Sequence, residues 1–256
     1  MRILLVSDIH SNWPALAAIT EPYDVALFLG DLVEYGVEPA PCIEWVRSRC
    51  QYRVRGNHDH SAAQNVAPPT AQTRGFKWLT AVTRAIGIER LSEPDRRFLA
   101  TLPLTQYLRL DERKMLLVHA TPRDPLDEYA PADEAFWTRR LEGVDAEIIC
   151  VGHTHQPYAF EVAGKLVINP GSVGLQREGD PRVSYAILDG SQVLLRRIEY
   201  PIEQTVAAVE ATNLPDEVKS LLINVYREGR LPMPTPPNGM MIVQPNSPAP
   251  GQLQPT

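Results

Sequence analysis

Apolar residues in this chain gather in short unbroken runs. Residues 2–7, 25–29, 52–55, 115–118 and 147–151 are each four to six residues long, rich in leucine and β-branched side chains, and free of polar alternation. That is the pattern of strands covered on both faces. Further strands are expected at 165–168, 183–188 and 193–200. Between them lie stretches of helical character at 13–20, 39–50, 71–86, 93–101 and 132–141, followed by 202–212 and 216–228. Ser92 with Asp95 three residues on predicts a helix N-cap, and Gly229 predicts the stop of the 216–228 helix. Strands alternating with helices make an α/β architecture. No internal repeat is visible.

The polar residues that end these runs carry the chemistry. The first run ends in Asp8-Ile9-His10, the second in Gly30-Asp31, and the third in Gly56-Asn57-His58-Asp59. The next ends in His119, and the fifth in Gly152-His153-Thr154-His155. Ligands of open α/β sheets bind beyond the carboxyl ends of the strands, so these five exits are expected to converge. Of the six histidines, only His60 lies outside the set. Residues i and i+2 of an extended chain share a face, which pairs Asp8 with His10 and His153 with His155. Oxygen and imidazole donors without a thiolate suit Mn²⁺, Fe, Co, Ni or Zn rather than Ca²⁺ or a structural zinc. Seven such donors exceed the needs of one ion. Two ions about 3.5–4 Å apart, bridged by a carboxylate, would use them all.

This ordered set resembles the calcineurin-like metallophosphoesterase family, whose pattern is D-x-H, G-D, G-N-H-[DE], H and G-H-x-H. Asn169-Pro170-Gly171-Ser172-Val173-Gly174 is similar to a later segment of the small bacterial phosphodiesterase-type branch. The resemblance covers about residues 1–200. It implies a four-layer α/β/β/α sandwich of two mixed sheets flanked by helices. By it, Asp8, His10, Asp31 and His155 would hold a first metal, with Asp31 bridging. Asn57, His119 and His153 would complete a second. His58 would face the substrate, and Asp59 would steady its imidazole.

The expected activity is that of a dinuclear metal-dependent phosphoesterase. Two divalent transition-metal ions, Mn²⁺ favoured with Fe, Zn, Ni or Co open, would supply hydroxide near neutral pH and offset phosphoryl charge. His58 would act as general acid toward the leaving oxygen. Small phosphodiesters or nucleotides are the leading substrates. A phosphomonoesterase or a dinucleoside polyphosphate hydrolase is the alternative. From another class comes a non-catalytic protein-binding scaffold of the same fold, against which the complete ligand set argues. Tyr35 stands before Gly36 where the family's Ser/Thr protein phosphatases carry a phosphate-gripping arginine, which disfavours protein-phosphatase activity. Arg74 and Trp78, four apart, either form a wall that stacks a nucleobase or, more simply, belong to a helix that packs Trp78 in the core. Arg123 and Arg177 are further candidate phosphate contacts.

Composition adds limits. The chain is 44% apolar and 22% charged with net charge −6, so no sequence-wide basic field draws it to long nucleic acid or anionic membrane. Cys42, Cys50 and Cys150 lack CxxC spacing, which points away from a disulfide framework or a thiolate zinc site. The first apolar run meets Asp8 too early for a signal peptide, no stretch is long enough to span a membrane, and a cytoplasmic location is expected. Residues 231–256 carry no charge and eight of the 24 prolines. The expected division is therefore a catalytic domain at 1–200, a helical extension packed on it at 201–230, and an uncharged Pro-rich tail at 231–256. The sequence leaves the oligomeric state open.

Overall fold

The computed structural model describes residues 1–66 and 75–232. Its strands are β1 (Arg2–Val6), β2 (Val25–Phe28), β3 (Tyr52–Arg53), β4 (Thr105–Leu110), β5 (Arg113–Val118), β6 (Ile148–Cys150), β7 (Pro157–Val162), β8 (Lys165–Pro170), β9 (Val183–Asp189) and β10 (Gln192–Ile198). Its helices are α1 (Trp13–Ala17), α2 (Pro39–Arg49), α3 (Asn57–Gln64), α4 (Gly75–Arg90), α5 (Glu93–Thr101), α6 (Glu134–Arg140), α7 (Ile202–Glu210) and α8 (Asp216–Glu228).

Two five-stranded mixed sheets form, in the orders β10-β9-β1-β2-β3 and β4-β5-β6-β8-β7. In the first, β1, β2 and β3 run parallel and β9 pairs antiparallel with β1. In the second, β5, β6 and β8 run parallel, with β4 and β7 antiparallel at the edges. The alternation of each strand explains why its sequence shows none of polar and apolar. Ile3, Leu5, Leu27 and Leu29 of the first sheet meet Met115, Leu117, Ile148 and Cys150 of the second in one apolar layer. Their neighbours Leu4, Val6, Ala26 and Phe28 face the opposite way, onto helices α1, α2 and α5. Leu116, Val118, Ile149 and Val151 likewise pack on Trp137 of α6. A strand sandwiched between a sheet and a helix layer has no wet face. Each fully buried Leu or Ile there contributes about 1.5–3 kcal/mol.

The expected α/β/β/α sandwich is therefore present, with differences of detail. Two segments for which the sequence predicts no element are strands. β4 and β7 lie at the edges of the second sheet, and β4 reads as alternating exposed and half-buried positions, so neither offers a continuous apolar run. The expected strand at 52–55 shortens to two residues. Ser92 caps α5 by accepting from Asp95 N at 3.3 Å, and Gly229 ends α8 at φ +65°. Helices α7 and α8 join α4, Tyr35, Val37 and Leu175 in a separate apolar cluster beside the strand exits. Arg74 and the expected tail beyond Pro232 lie outside the described residues. No described helix is long and apolar enough to cross a membrane.

Candidate metal centre

The parallel strands deliver their carboxyl ends to one edge of the sandwich, where the two sheets meet. There the loops are laced to each other: Asp8 N donates to Gly30 O (2.9 Å), His10 N to Asp31 O (3.1 Å), and Gly152 N to His119 O (2.8 Å). Asp8, His10, Asp31, His153 and His155 all take left-handed backbone angles, φ between +47° and +65°. Such angles cost an L-residue on the order of 1–3 kcal/mol each and persist where the surroundings over-determine them, as at functional sites. Two glycines make room. A Cβ on Gly56 would strike the Asp31 carboxylate, and one on Gly152 would strike Ser7 Oγ and come within 2.9 Å of Asp8 Oδ2.

Two trios result, Asp8–His10–His155 and Asp31–His119–His153, with the ligand atoms of each within 4.8 Å of one another. Three of the histidines commit Nδ1 to a backbone carbonyl: His10 to Val33 O (3.0 Å), His119 to Leu29 O (2.7 Å), and His155 to Leu175 O. A carbonyl only accepts, so these Nδ1 atoms carry protons and every Nε2 points inward. This is the outer bracing that fixes an imidazole ligand's tautomer and aim. Asn57 Oδ1 lies 3.2 Å from His119 Nε2. Asp31 Oδ2 lies 3.2 Å from His119 Nε2 and 3.9 Å from His10 Nε2, between the two trios.

These residues fit divalent ions on their own electrostatics. In the first trio the Nε2 atoms of His10 and His155 face each other at 3.2 Å, and Asp8 Oδ1 is buried with no hydrogen-bond partner among the described residues, although His155 Nε2 is 3.2 Å away. Burial, with the charge of His58 next, holds His10 well below the usual histidine range. Burial and then Arg177 lower His155. Lone pairs therefore converge without a proton to share, an arrangement that a cation relieves. In the second trio His119 Nε2 meets only acceptors. Burial works to lower its pKa, but Asp31 outweighs it and raises the group to about 9. A proton thus stands where a cation would. Asp31 is held low in spite of burial by His119. His153 is lowered to about 4 by burial and by His119.

Comparison with known proteins agrees. Residues 1–192 match the calcineurin-like phosphoesterase superfamily domain. The chain belongs to that superfamily. A metallophosphoesterase from Sphaerobacter thermophilus of known structure is 30% identical, covers 87% of this chain and 98% of its own, and superposes with a TM-score of 0.71. A hypothetical protein from Pyrococcus horikoshii, 19% identical over 86% of this chain and 97% of its own, shares the fold with a TM-score of 0.73. An uncharacterized protein of Methanocaldococcus jannaschii is 29% identical over 84% of this chain and 94% of its own length. Membership in this phosphoesterase superfamily supports a phosphoric ester hydrolase, and the family's typical divalent-metal binding matches the two trios.

Within the superfamily frame, one expected contact is absent. His58 does not meet Asp59. The Asp59 carboxylate accepts from the backbone N–H groups of Leu32 (2.7 Å), Asp31 (2.9 Å) and Gly56 (3.1 Å), bracing the start of α3 against the Asp31 loop. Burial and then the nearby Asp31 push its pKa up to about 7. The partner of His58 is Glu34, whose Oε2 lies 2.5 Å from Nδ1. Glu34 is in turn clasped by Arg84 of α4, Nε to Oε1 at 2.5 Å and Nη2 to Oε2 at 3.2 Å. Both were missed in sequence. The one available signal was an acid three residues past Asp31 in a glycine-bounded turn. His58 Nε2, 3.8 Å from Asp31 Oδ2, is left free. Burial opposes its protonation, yet Asp31 and Glu34 prevail and raise its pKa. Trp78 takes the simpler of its two expected roles, packing on the α4–α7–α8 cluster. Arg123 is exposed on the loop after His119, and Arg177 stacks on Phe76.

Proposed function

We propose that the protein is a dinuclear metal-dependent hydrolase of small phosphodiesters or nucleotides, acting in the cytoplasm, with His58 as general acid. Asp8, His10 and His155 would hold one ion, Asn57, His119 and His153 the other, with Asp31 shared; Mn²⁺ is the expected metal. The chemistry such ions supply is a water deprotonated near neutral pH and compensation for the charge of phosphoryl oxygens. The observation that carries the proposal is the His58 imidazole, tied to Glu34 through Nδ1, with a free Nε2 3.8 Å from the Asp31 carboxylate, which also lies near His10 and His119. Glu34 and Asp31 favour the imidazolium form, so His58 holds a proton at Nε2 for a departing alkoxide. Arg84 fixes the carboxylate of Glu34 and so the angle of the ring. Asp59 supports this indirectly, by holding the backbone from which Asp31 and His58 project.

The test is a nucleotide and small-diester panel on metal-replete protein, paired with His58→Ala. The variant is expected to keep its metal content and lose kcat by roughly 10²–10⁴-fold on an alkyl or nucleotide ester. Glu34→Gln removes charge that favours the imidazolium, so the alkaline limb of its kcat profile should move to lower pH. An unchanged kcat in His58→Ala on those esters removes the general acid. No hydrolysis of any phosphoester by metal-replete wild type sinks the proposal as a whole.

A further inference from the structure

Arg177 lies on a stretch of chain fixed by the site itself. Between Pro170, the last residue of β8, and Arg177, Val173 N donates to Ser7 O (3.0 Å), Gly174 N to Asp8 O (3.0 Å), and Ser172 Oγ to Asp8 O (2.9 Å). Leu175 O holds the ring of His155, and Gln176, buried, donates to Ser172 O (2.6 Å). The next residue is Arg177, with no slack between it and the Asp8 loop. Its guanidinium carbon lies 4.7 Å from the centre of the Phe76 ring. Phe76 meets Tyr35 edge-on at 6.1 Å, and Tyr35 stands 4.8 Å from His10 and 5.2 Å from His58 between ring centres. An aromatic wall thus runs from the two histidines to the arginine.

What this arginine lacks among the described residues is a partner. Its Nε is buried without a hydrogen bond among the described residues, and its other guanidinium N–H groups meet no acceptor or carboxylate there. Arg84, by contrast, is engaged by both oxygens of Glu34. A half-buried guanidinium with idle donors is costly unless something anionic completes it. Its charge is felt in the site: after burial it is the main influence lowering His155, and it opposes the rise at His58. The phosphoryl group of a diester has two non-bridging oxygens, and the two cations of the proposed centre would offset the charge of those two. A guanidinium fork therefore matters most for a substrate with one more anionic oxygen.

We propose that Arg177 is a specificity residue that binds this extra phosphate oxygen, so that the site favours a phosphomonoester or a nucleoside polyphosphate over a simple diester. This rests on the proposed phosphoester hydrolysis: it keeps the nucleotide arm of that proposal and ranks simple diesters below phosphomonoesters. The experiment compares full-length wild type, Arg177→Gln and Arg177→Lys, all metal-loaded to equal content. Titration calorimetry with inorganic phosphate and with dimethyl phosphate reads binding without requiring turnover. Arg177→Gln should weaken inorganic phosphate by about 10–100-fold, the range for a lost charge-assisted bond, and dimethyl phosphate by less than about threefold. Arg177→Lys, which keeps the charge and loses the fork, should fall between. In turnover, the loss in kcat/KM should be large for p-nitrophenyl phosphate if the reacting phosphate is gripped, or confined to ADP if its neighbour is, and small for bis(p-nitrophenyl) phosphate in either case. Equal weakening of phosphate and dimethyl phosphate, or no weakening of either, overturns the assignment. Because the binding arm does not depend on hydrolysis, an inactive wild type would count against the proposed function and leave the assignment decided by the titrations.

Discussion

The two ligand trios differ although strand ends of the same two sheets build each of them. Asp8, His10 and His155 are sealed from solvent, at 0%, 0% and 1% exposure, and burial keeps their imidazoles neutral. Asp31 and His119 are as deeply buried, but His153 is partly open, next to the half-exposed Tyr129 at 6.3 Å between ring centres. The first trio presents unprotonated nitrogens to an unpaired carboxylate oxygen. The second presents a proton on His119 held between Asp31 and Asn57. A cation entering the first displaces no proton. A cation entering the second must expel that proton. Identical residue types thus offer a cation two different proton environments, and the two candidate sites are expected to differ in affinity and pH response.

The largest effect expected is from His10→Ala. It deletes a fully buried nitrogen and leaves Asp8 Oδ1 and His155 Nε2 facing a void that water reaches poorly. Loss of an outer partner of a metal ligand costs roughly 10–100-fold in affinity, and loss of this ligand should exceed that, leaving the first position empty by elemental analysis at stoichiometric metal.

His153→Ala should cost less, about 10–100-fold in the affinity of the second ion. The position is partly exposed, so water can fill the vacated coordination place while Asp31, His119 and Asn57 remain. Metal titrations on the two variants check the ranking. Equal losses would erase the distinction between a sealed and an open site.

The sequence already showed much of this arrangement, and where it failed the reason is geometric. Asp8, His10, Asp31, His119, His153 and His155 stand out because each follows an apolar run that had to be a strand, and strand ends converge. The family resemblance pairs Asp59 with His58, its neighbour in the chain. On a helix, neighbours point about 100° apart, since the helix repeats every 3.6 residues. Asp59, at the third position of α3, turns its carboxylate back to the helix start. Expecting a helix from Asn57 would have separated the two. Glu34 and Arg84 are 50 residues apart and meet only through the packing of α4, which no local pattern reveals. The edge strands β4 and β7 escaped because half-exposed strands dilute their apolar runs.

The smallest effect separates the trios most directly. In the metal-free protein His119 keeps its proton up to about pH 9 because of Asp31, while His153 loses its own near 4 and His10 and His155 are neutral at pH 7. Its raised pKa stabilises the metal-free fold fully below the ordinary histidine value, and that contribution is lost as pH rises through about 9. Binding of the second ion takes the same proton away. Its apparent affinity should therefore climb about tenfold per pH unit between 7 and 8 and level off near 9, while the first ion's affinity stays nearly flat over that range. Calorimetry in two buffers of different ionisation enthalpy measures this as about one proton released for the second ion and none for the first. The same slope for both ions would mean that the proton is shared across Asp31 by the whole cluster, and that the two trios titrate as one.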